Sequence, residues 1–188
     1  MGRLLDAGVE ALATGGYHAT RVDDIVRLAY VSHGTFYLYF ADKEALFRVL
    51  AQRCADETTA LAASLGEVAA DDAGVAVLAE WLGDFLVLYR SSGVVIRAWA
   101  EQQVTDRDLA RLGRDSFGKI AAVLTARIPD QDGDSLTSAS LRATALLAMI
   151  ERFAYVATSR DLGVNDAEIA QRLAPVVHRG FFRVATSG

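Results

Sequence analysis

One stretch of the chain, residues 31–46, concentrates groups that can bind phosphates and base edges. Its sequence is V-S-H-G-T-F-Y-L-Y-F-A-D-K-E-A-L. Most of its polar side chains fall within a single short predicted helix, and such groups are poorly suited to a protein core. Proteins use hydroxyl, imidazole and ammonium groups to hold a DNA backbone and to read its bases. The segment is therefore predicted to be a surface that contacts nucleic acid.

Two short helices joined by a tight turn are predicted to position this surface. Thr20, followed three residues later by Asp23, forms a capping-box pattern that predicts the start of the first of them. Ser32 is the predicted N-cap of the second, whose two phenylalanines point inward. Asp42 is the predicted N-cap of a longer helix that runs to about Leu65.

The rest of the chain is also predicted to be helical. A first helix ends at Gly15-Gly16, and Ser91-Ser92-Gly93 is a predicted break further on. Only two prolines occur, and no apolar/polar alternation typical of a strand is sustained. The prediction is an all-α fold of about nine helices, three short and six longer. The later helices are predicted over residues 72–91, 93–103, 106–128, 136–160 and 166–185.

Residues 31–46 closely resemble the helix-turn-helix of the tetracycline-repressor (TetR) family. The pattern G-T-x-Y-x-Y-F-x-x-K-E-x-L carries the resemblance, which is strong over about residues 4–50. It implies a helix-turn-helix DNA-binding domain over residues 1–46 and a ligand-binding and dimerisation domain over residues 47–188. It further implies a homodimer that binds a palindromic double-stranded DNA operator, represses transcription, and is released by a small apolar or amphipathic effector.

Nine residues are predicted to contact DNA. Gly34 has no side chain, which permits a close approach to the major groove. Tyr37 and Tyr39 offer hydroxyls to phosphate oxygens, and Lys43 lies at a helix N-terminus where one phosphate can be held. The full set is Thr20, Arg21, Ser32, His33, Gly34, Thr35, Tyr37, Tyr39 and Lys43.

Three of these residues have simpler interpretations, and one position departs from the family pattern. Tyr39 can be a core residue, His33 a plain surface residue, and Gly34 a turn glycine. At the turn between the two short helices, where the family usually has glycine, this chain has Tyr30. If that position needs a left-handed backbone, the tyrosine costs about 1–2 kcal/mol.

A ligand pocket is predicted between the helices over residues 72–128. Trp81, Phe85 and Tyr89 recur every fourth residue and form an aromatic stripe on one helix face. Apolar walls with a few polar groups are typical of small-molecule sites, although each aromatic can equally be a core residue. The predicted lining is Trp81, Phe85, Tyr89, Trp99, Gln102 and Phe117.

A homodimer interface is predicted on the last two helices. Residues 139–157 are too apolar all round to bury only one face, and residues 166–185 add further large apolar side chains. Two such helices favour a four-helix bundle with a second copy. The predicted contacts are Leu147, Ile150, Ala154, Val177 and Phe181. Glu151 and Arg152 within this stretch are an ion pair or, alternatively, a polar contact to the pocket.

Composition limits the remaining possibilities. The net charge is −5, but residues 1–53 carry six basic and six acidic residues, so DNA contact must depend on a few placed groups. No apolar run approaches about 18 residues, and no signal segment is evident, so we expect a cytoplasmic protein with no membrane contact.

Catalytic and cofactor chemistry is not expected. With one cysteine, Cys54, and three dispersed histidines, no metal spacing, catalytic motif or cofactor is indicated. We therefore expect a protein that is not an enzyme. The alternatives are a DNA-binding regulator controlled by a protein partner without a small ligand, and an enzyme formed by the same helices.

Overall fold

The computed structural model describes residues 1–102, 105–129, 136–160 and 162–183. Over these residues the chain forms eight α-helices and a closing π-helical turn, without a β-strand. The all-α fold is confirmed, and the helix count is close to the predicted nine. The elements are α1 (Gly2–Ala19), α2 (Val22–Ala29), α3 (His33–Tyr37), α4 (Lys43–Ser64), α5 (Asp72–Gln102), α6 (Arg107–Arg127), α7 (Leu136–Ser159), α8 (Asp166–Val177) and the turn His178–Phe182.

Helix α1 contains the break that the double glycine predicts. Gly16 has φ 72° and ψ 172°, a left-handed backbone that favours glycine, and the chain then makes another turn to Ala19. The α1 helix also packs tightly on α4, because a Cβ on Gly8 would lie only 2.7 Å from Leu46 Cδ2. A larger residue at position 8 would therefore force the Leu46 side chain to shift.

The predicted break at Ser91-Ser92-Gly93 is wrong, and α5 continues through it as one helix of 31 residues. The Ser91 hydroxyl donates to the carbonyl of Leu88, a local bond that lets serine remain inside a helix. Gly93 is buried, so its small size serves packing rather than chain reversal. The predicted end of this segment at residue 103 lies outside the described residues.

The later boundaries agree closely with the predictions. Gly163 has φ 68°, and the Asn165 side chain accepts from the backbone N–H of Glu168, which caps α8. The α8 helix ends at Val177 and passes into the π-helical turn, while residues 184 and 185 of the predicted last helix lie outside the described residues. In the described part of the chain, no helix combines the length and apolar character needed to cross a bilayer.

Two compact units divide the chain, and each is built from two segments. Unit 1 consists of Met1–Asp56 and Ser92–Asp115, and unit 2 of Glu57–Ser91 and Ser116–Gly188. The core of unit 1 joins Phe36 and Phe47 of the N-terminal helices with Val95 of α5. The start of α6 and the end of α5 thus belong to the same unit as α1–α3. The predicted domains over residues 1–46 and 47–188 stay a prediction.

Candidate nucleic-acid interface

Helices α2 and α3 form the helix-turn-helix of unit 1. The Ser32 side chain accepts from the backbone N–H of Thr35 at 3.1 Å, which confirms Ser32 as the N-cap of α3. Phe36 and Phe40 are buried, as their predicted inward direction requires. The short α3 helix is therefore held by a polar cap on its outer side and by two aromatic rings beneath it.

The turn between α2 and α3 is left-handed at Tyr30, with φ 53° and ψ 46°. Tyr30 is the only non-glycine residue with positive φ in the described part of the chain, so it occupies a backbone conformation that is costly for an L-residue. The Arg3 guanidinium donates to the carbonyls of Ala29 and Tyr30. Sequence reasoning missed Arg3, whose only signal was a lone basic residue at the start of α1.

Polar groups at the start of α3 are already bonded within the protein. The Ser32 and Thr35 hydroxyls lie 3.0 Å apart, and His33 Nε2 lies 2.5 Å from Asp23 Oδ1 on α2. Both members of the His33–Asp23 pair are largely exposed. A hydroxyl can make further hydrogen bonds, and imidazole keeps its second nitrogen, so these groups retain some capacity for DNA.

Gly34, Tyr37 and Tyr39 lie on the surface. A Cβ placed on Gly34 would meet only Ser32 Oγ, at an ordinary 3.7 Å, so the protein's own packing does not require glycine there. Tyr37 is 56% exposed and Tyr39 52% exposed, which contradicts the alternative of a core Tyr39. The absent side chain at Gly34 thus fits a close approach by another molecule.

The predicted contacts at the start of α2 need one correction. Thr20 is buried, and its hydroxyl donates to the Gly16 carbonyl at 2.7 Å, so its side chain cannot face DNA. The helix begins one residue later than the Thr20–Asp23 pattern predicts. Arg21 is the N-cap, and its backbone N–H donates to Asp24 Oδ2 at 3.2 Å, while its own side chain is exposed.

Lys43 has an internal role that sequence reasoning did not predict. Its Nζ donates to the carbonyls of Tyr17 and Thr20, each at 3.0 Å, and lies 4.7 Å from the centre of the Tyr17 ring. Burial raises the pKa of this tyrosine above its usual value. A lysine ammonium carries three N–H bonds, so one remains to donate to a phosphate. The predicted cap at Asp42 is confirmed by its bond from the Ala45 N–H at 2.6 Å.

Within unit 1, the C-terminal end of α5 and the start of α6 are joined to the N-terminal helices by polar contacts. Arg48 donates to Asp106 Oδ2 through Nε and Nη2, at 3.1 and 2.9 Å. Asp106 Oδ1 also accepts from the Leu109 N–H, and this bond, followed by the Arg48 contact, lowers the Asp106 pKa. Gln102 lies 3.3 Å from His18 Nε2, a contact between side chains.

The predicted pocket residues are divided between the two units. Trp99 and Gln102 belong to unit 1, where Trp99 Nε1 donates to the Leu109 carbonyl at 3.0 Å. Gln102 is buried against His18, so its amide is engaged there. Phe117 belongs to unit 2 and is 44% exposed, so it is not an interior wall of the described structure. A pocket lined by all six residues stays a prediction.

The aromatic stripe on α5 is confirmed as a stripe, and it packs as core within unit 2. The ring centres of Trp81 and Phe85 are 6.1 Å apart, and those of Phe85 and Tyr89 are 6.0 Å apart. Trp81 Nε1 donates to the Leu61 carbonyl at 2.7 Å, and the Tyr89 hydroxyl donates to Glu151 at 2.8 Å. The three rings are buried, and these ring contacts and hydrogen bonds lie within unit 2, as the core interpretation of each aromatic expects.

Three of the five predicted dimer contacts are core residues of a single chain. Ile150, Ala154 and Val177 are buried in unit 2, so their side chains are not available to a second copy. Leu147 and Phe181 are half-buried. Helical periodicity identified the apolar helices. It could not show which of their apolar side chains are buried within a single chain and which remain for a second copy. Among the residues of α7 and α8 whose side chains the structure describes, Leu141 and Val176 are exposed large aliphatic residues.

Comparisons with known proteins agree with this geometry. Residues 4–50 match the family model described as bacterial regulatory proteins, tetR family. Over 42 residues the chain is 48% identical to the fatty acid metabolism regulator protein of Bacillus subtilis (strain 168), a match that covers 22% of each chain. The sequence match therefore spans about a fifth of that relative's length and leaves the rest unmatched.

Solved structures share the fold over nearly the whole chain. A transcriptional regulator from Rhodococcus sp. Rha1 gives a TM-score of 0.70 at 20% identity, covering 97% of this chain and 98% of that one. FadR from Bacillus subtilis in complex with stearoyl-CoA gives 0.69 at 17% identity, covering 95% and 98%. At such identities the likeness shows a common fold.

Proposed function

We propose that this chain is a ligand-responsive repressor that binds a palindromic operator as a homodimer, because its residues 4–50 match the model of the tetR family of bacterial regulatory proteins. The observation that carries the proposal is the geometry of α3. Its first turn lacks bulk at Gly34, its N-cap is intact, and Tyr37 is exposed at its end. A capped, short helix with an open first turn suits insertion into a major groove.

Operator affinity should come from a small number of placed contacts. The N-terminal segment is neutral overall, so diffuse attraction to phosphates is weak and non-specific binding should be modest. Tyr37 and Tyr39 would supply hydroxyls to the backbone, and Lys43 would supply its remaining N–H. His33 is the proposed base reader, with its ring orientation fixed by Asp23.

The proposed homodimer uses the outward faces of α7 and α8. Leu141 on α7 and Val176 on α8 are exposed aliphatic residues, and Leu147 and Phe181 are half-buried beside the core. Leu141→Glu and Val176→Glu should each prevent dimerisation, because an unpaired charge would be buried in an apolar interface. Sedimentation should then show monomers, and cooperative operator binding should be lost. Val87→Glu, at another exposed valine, is the matched control. Unchanged dimers in both variants would exclude these faces.

The proposed effector is amphipathic, with a long acyl chain on a polar carrier. Support comes from the relatives, one a fatty acid metabolism regulator and another a FadR structure that contains stearoyl-CoA. The coupling would run through α5 and α6, because their segments in Ser92–Asp115 belong to the same compact unit as α3. A ligand that binds more tightly to a second position of these segments, one in which α3 no longer fits the operator, would lower operator affinity. The size of the decrease is set by the ratio of the ligand's affinities for the two positions.

A second candidate, control by a protein partner without a small ligand, is favoured by one observation. Trp81 and Tyr89 are buried, and each donates a hydrogen bond within unit 2, so neither needs a ligand to satisfy it. In that case operator binding would be unchanged by acyl-CoA.

One experiment tests both parts of the proposal. The full chain is used to select binding sites from random double-stranded DNA, and an inverted repeat with half-sites about one helical turn apart is expected. Stearoyl-CoA is then titrated into the operator complex and followed by fluorescence anisotropy, with coenzyme A and stearate as controls. Release by stearoyl-CoA alone is the expected result. Absence of any selected site would refute the DNA-binding proposal, and selection without release would favour the partner-controlled candidate.

A further inference from the structure

Leu38 is the most exposed aliphatic residue of the DNA-binding module, and the fold does not account for its side chain. It is 82% exposed and follows directly on α3, between the exposed Tyr37 and Tyr39. Its backbone N–H donates to the Gly34 carbonyl, so its main chain closes the helix. Its side chain adds no cap or hydrogen bond, and it leaves apolar surface in water beside the proposed DNA interface.

The polar groups of α3 are partly occupied by hydrogen bonds within the protein. Ser32 and Thr35 are bonded to each other, and His33 is bonded to Asp23. Each therefore uses part of its hydrogen-bonding capacity inside the protein, and only the remainder can read a base edge. A surface that relies on few polar contacts gains selectivity from apolar ones, and the major groove offers one apolar group for this purpose, the C5 methyl of thymine.

We infer that Leu38 contacts the C5 methyl group of a thymine in each operator half-site and is a specificity-determining residue. This inference rests on the proposed function, because it requires α3 to enter the major groove. The occupant is DNA rather than a protein, because Leu38 is continuous with the surface of Gly34 and Tyr37 that is proposed to meet the operator. Tyr37 and Tyr39 would flank the contact and exclude water from it.

Replacing thymine by deoxyuracil removes only the methyl group, so it isolates this contact. Each thymine of the selected operator is replaced symmetrically, and affinity is measured at fixed salt with the full chain and with Leu38→Ala. At one position, deoxyuracil should weaken wild-type binding about fourfold per half-site, the fold-change that corresponds to about 0.8 kcal/mol for one buried methyl group. At that position, Leu38→Ala should bind the thymine and deoxyuracil operators equally.

Two controls separate this result from general effects. Val87→Ala, an exposed aliphatic change in unit 2, should keep the wild-type response to every deoxyuracil substitution. Leu38→Gln tests the same position with a side chain of similar length and no branched methyl groups, and thermal unfolding verifies that both Leu38 variants fold.

The possible failures are distinguishable. If the full chain selects an operator but no deoxyuracil effect depends on residue 38, the inference is overturned and the proposed function stands. A uniform loss of affinity in Leu38→Ala at every operator variant also overturns it, because Leu38 would then contact only the backbone. If no operator is selected, both the proposed function and this inference fail.

Discussion

Two tyrosines, Tyr37 in unit 1 and Tyr89 in unit 2, occupy opposite environments. Tyr37 at the end of α3 is 56% exposed, whereas Tyr89 on α5 is 1% exposed and donates its hydroxyl to Glu151. Both residues belong to helices that the sequence marks as rich in aromatic groups. In unit 1 the tyrosine hydroxyl is presented outward, and in unit 2 the same group satisfies a carboxylate inside the fold. The difference shows that an aromatic hydroxyl marks a binding surface only where the chain's own packing does not use it.

Removal of one ring of the aromatic stripe on α5 should give the largest loss of stability. Trp81→Ala deletes a buried ring and its bond to Leu61, so the free energy of unfolding should fall by about 3–5 kcal/mol. Phe117→Ala, at a ring that is 44% exposed in the same unit, should cost much less. Urea unfolding of both variants measures the contrast. Equal losses would show that Phe117 is a core residue like Trp81 and contradict its assignment to the surface.

Removing one oxygen atom from each tyrosine tests the comparison directly. Tyr89→Phe leaves the Glu151 carboxylate without this donor in a partly buried site and should cost about 1–3 kcal/mol of stability. Tyr37→Phe should leave stability unchanged and weaken operator binding by about 0.5–1.5 kcal/mol through one lost phosphate bond. Thermal unfolding and operator titration are measured for both. A stability loss in Tyr37→Phe would contradict its assignment to the DNA surface.

Each unit also contains an Arg–Asp pair joined by two hydrogen bonds, Arg48–Asp106 in unit 1 and Arg90–Asp166 in unit 2. Asp106→Ala should cost about 1–2 kcal/mol, since it also removes the cap of α6, and Asp106→Asn should cost about 0.2–1 kcal/mol. Asp166→Asn is the matched control, because Asn165 caps α8. Of the two asparagine variants, only Asp106→Asn should also alter operator affinity; an equal effect of Asp166→Asn would refute a special role for unit 1.

The same pairs predict a pH dependence with a definite sign. The pKa of Asp106 is lowered by the Leu109 N–H and then by Arg48, and that of Asp166 is lowered mainly by Arg90. A carboxyl whose pKa is lower in the folded state stabilises the protein above its unfolded pKa of about 3.9. This contribution is lost as the pH falls through the lower folded pKa. Acid titration of stability should therefore be shallower in either asparagine variant than in the wild type.

Gly34→Ala should separate stability from DNA binding. The added Cβ meets only Ser32 Oγ at 3.7 Å, and alanine favours helix over glycine by about 1 kcal/mol, so stability should rise slightly. Operator affinity should fall, because the methyl group occupies the space proposed for close approach. Unchanged affinity would show that DNA does not approach closely at Gly34.

The smallest change in stability is expected for substitutions of Tyr30, in the turn between α2 and α3. Tyr30→Gly relieves the left-handed strain but adds freedom to the unfolded chain, so a net gain of about 0.5 kcal/mol is expected from these opposing effects. Tyr30→Asn, which tolerates this conformation, is the control. Destabilisation in both variants would show that the exposed ring makes a stabilising contact.

Much of the fold and part of the interface were predictable because their signals are local. Ser32 caps α3, Asp42 caps α4, and Gly16 breaks α1, and each depends on residues within one helical turn. The break at Ser91 was predicted wrongly because a serine-rich sequence is compatible with both a turn and a continuous helix. In the structure the helix continues, and Gly93 is buried within unit 1.

By itself the sequence determined the helical class, the position of the helix-turn-helix and the exposed polar face of α3, since periodicity and capping act over a few residues. Only the tertiary structure decided that Thr20 is buried, that Lys43 holds the end of α1, and that Ile150, Ala154 and Val177 belong to the core. The physical reason is that burial and hydrogen-bond partners are set by residues far away along the chain. A helical pattern shows which side chains share a face, and only the packed structure shows what covers that face.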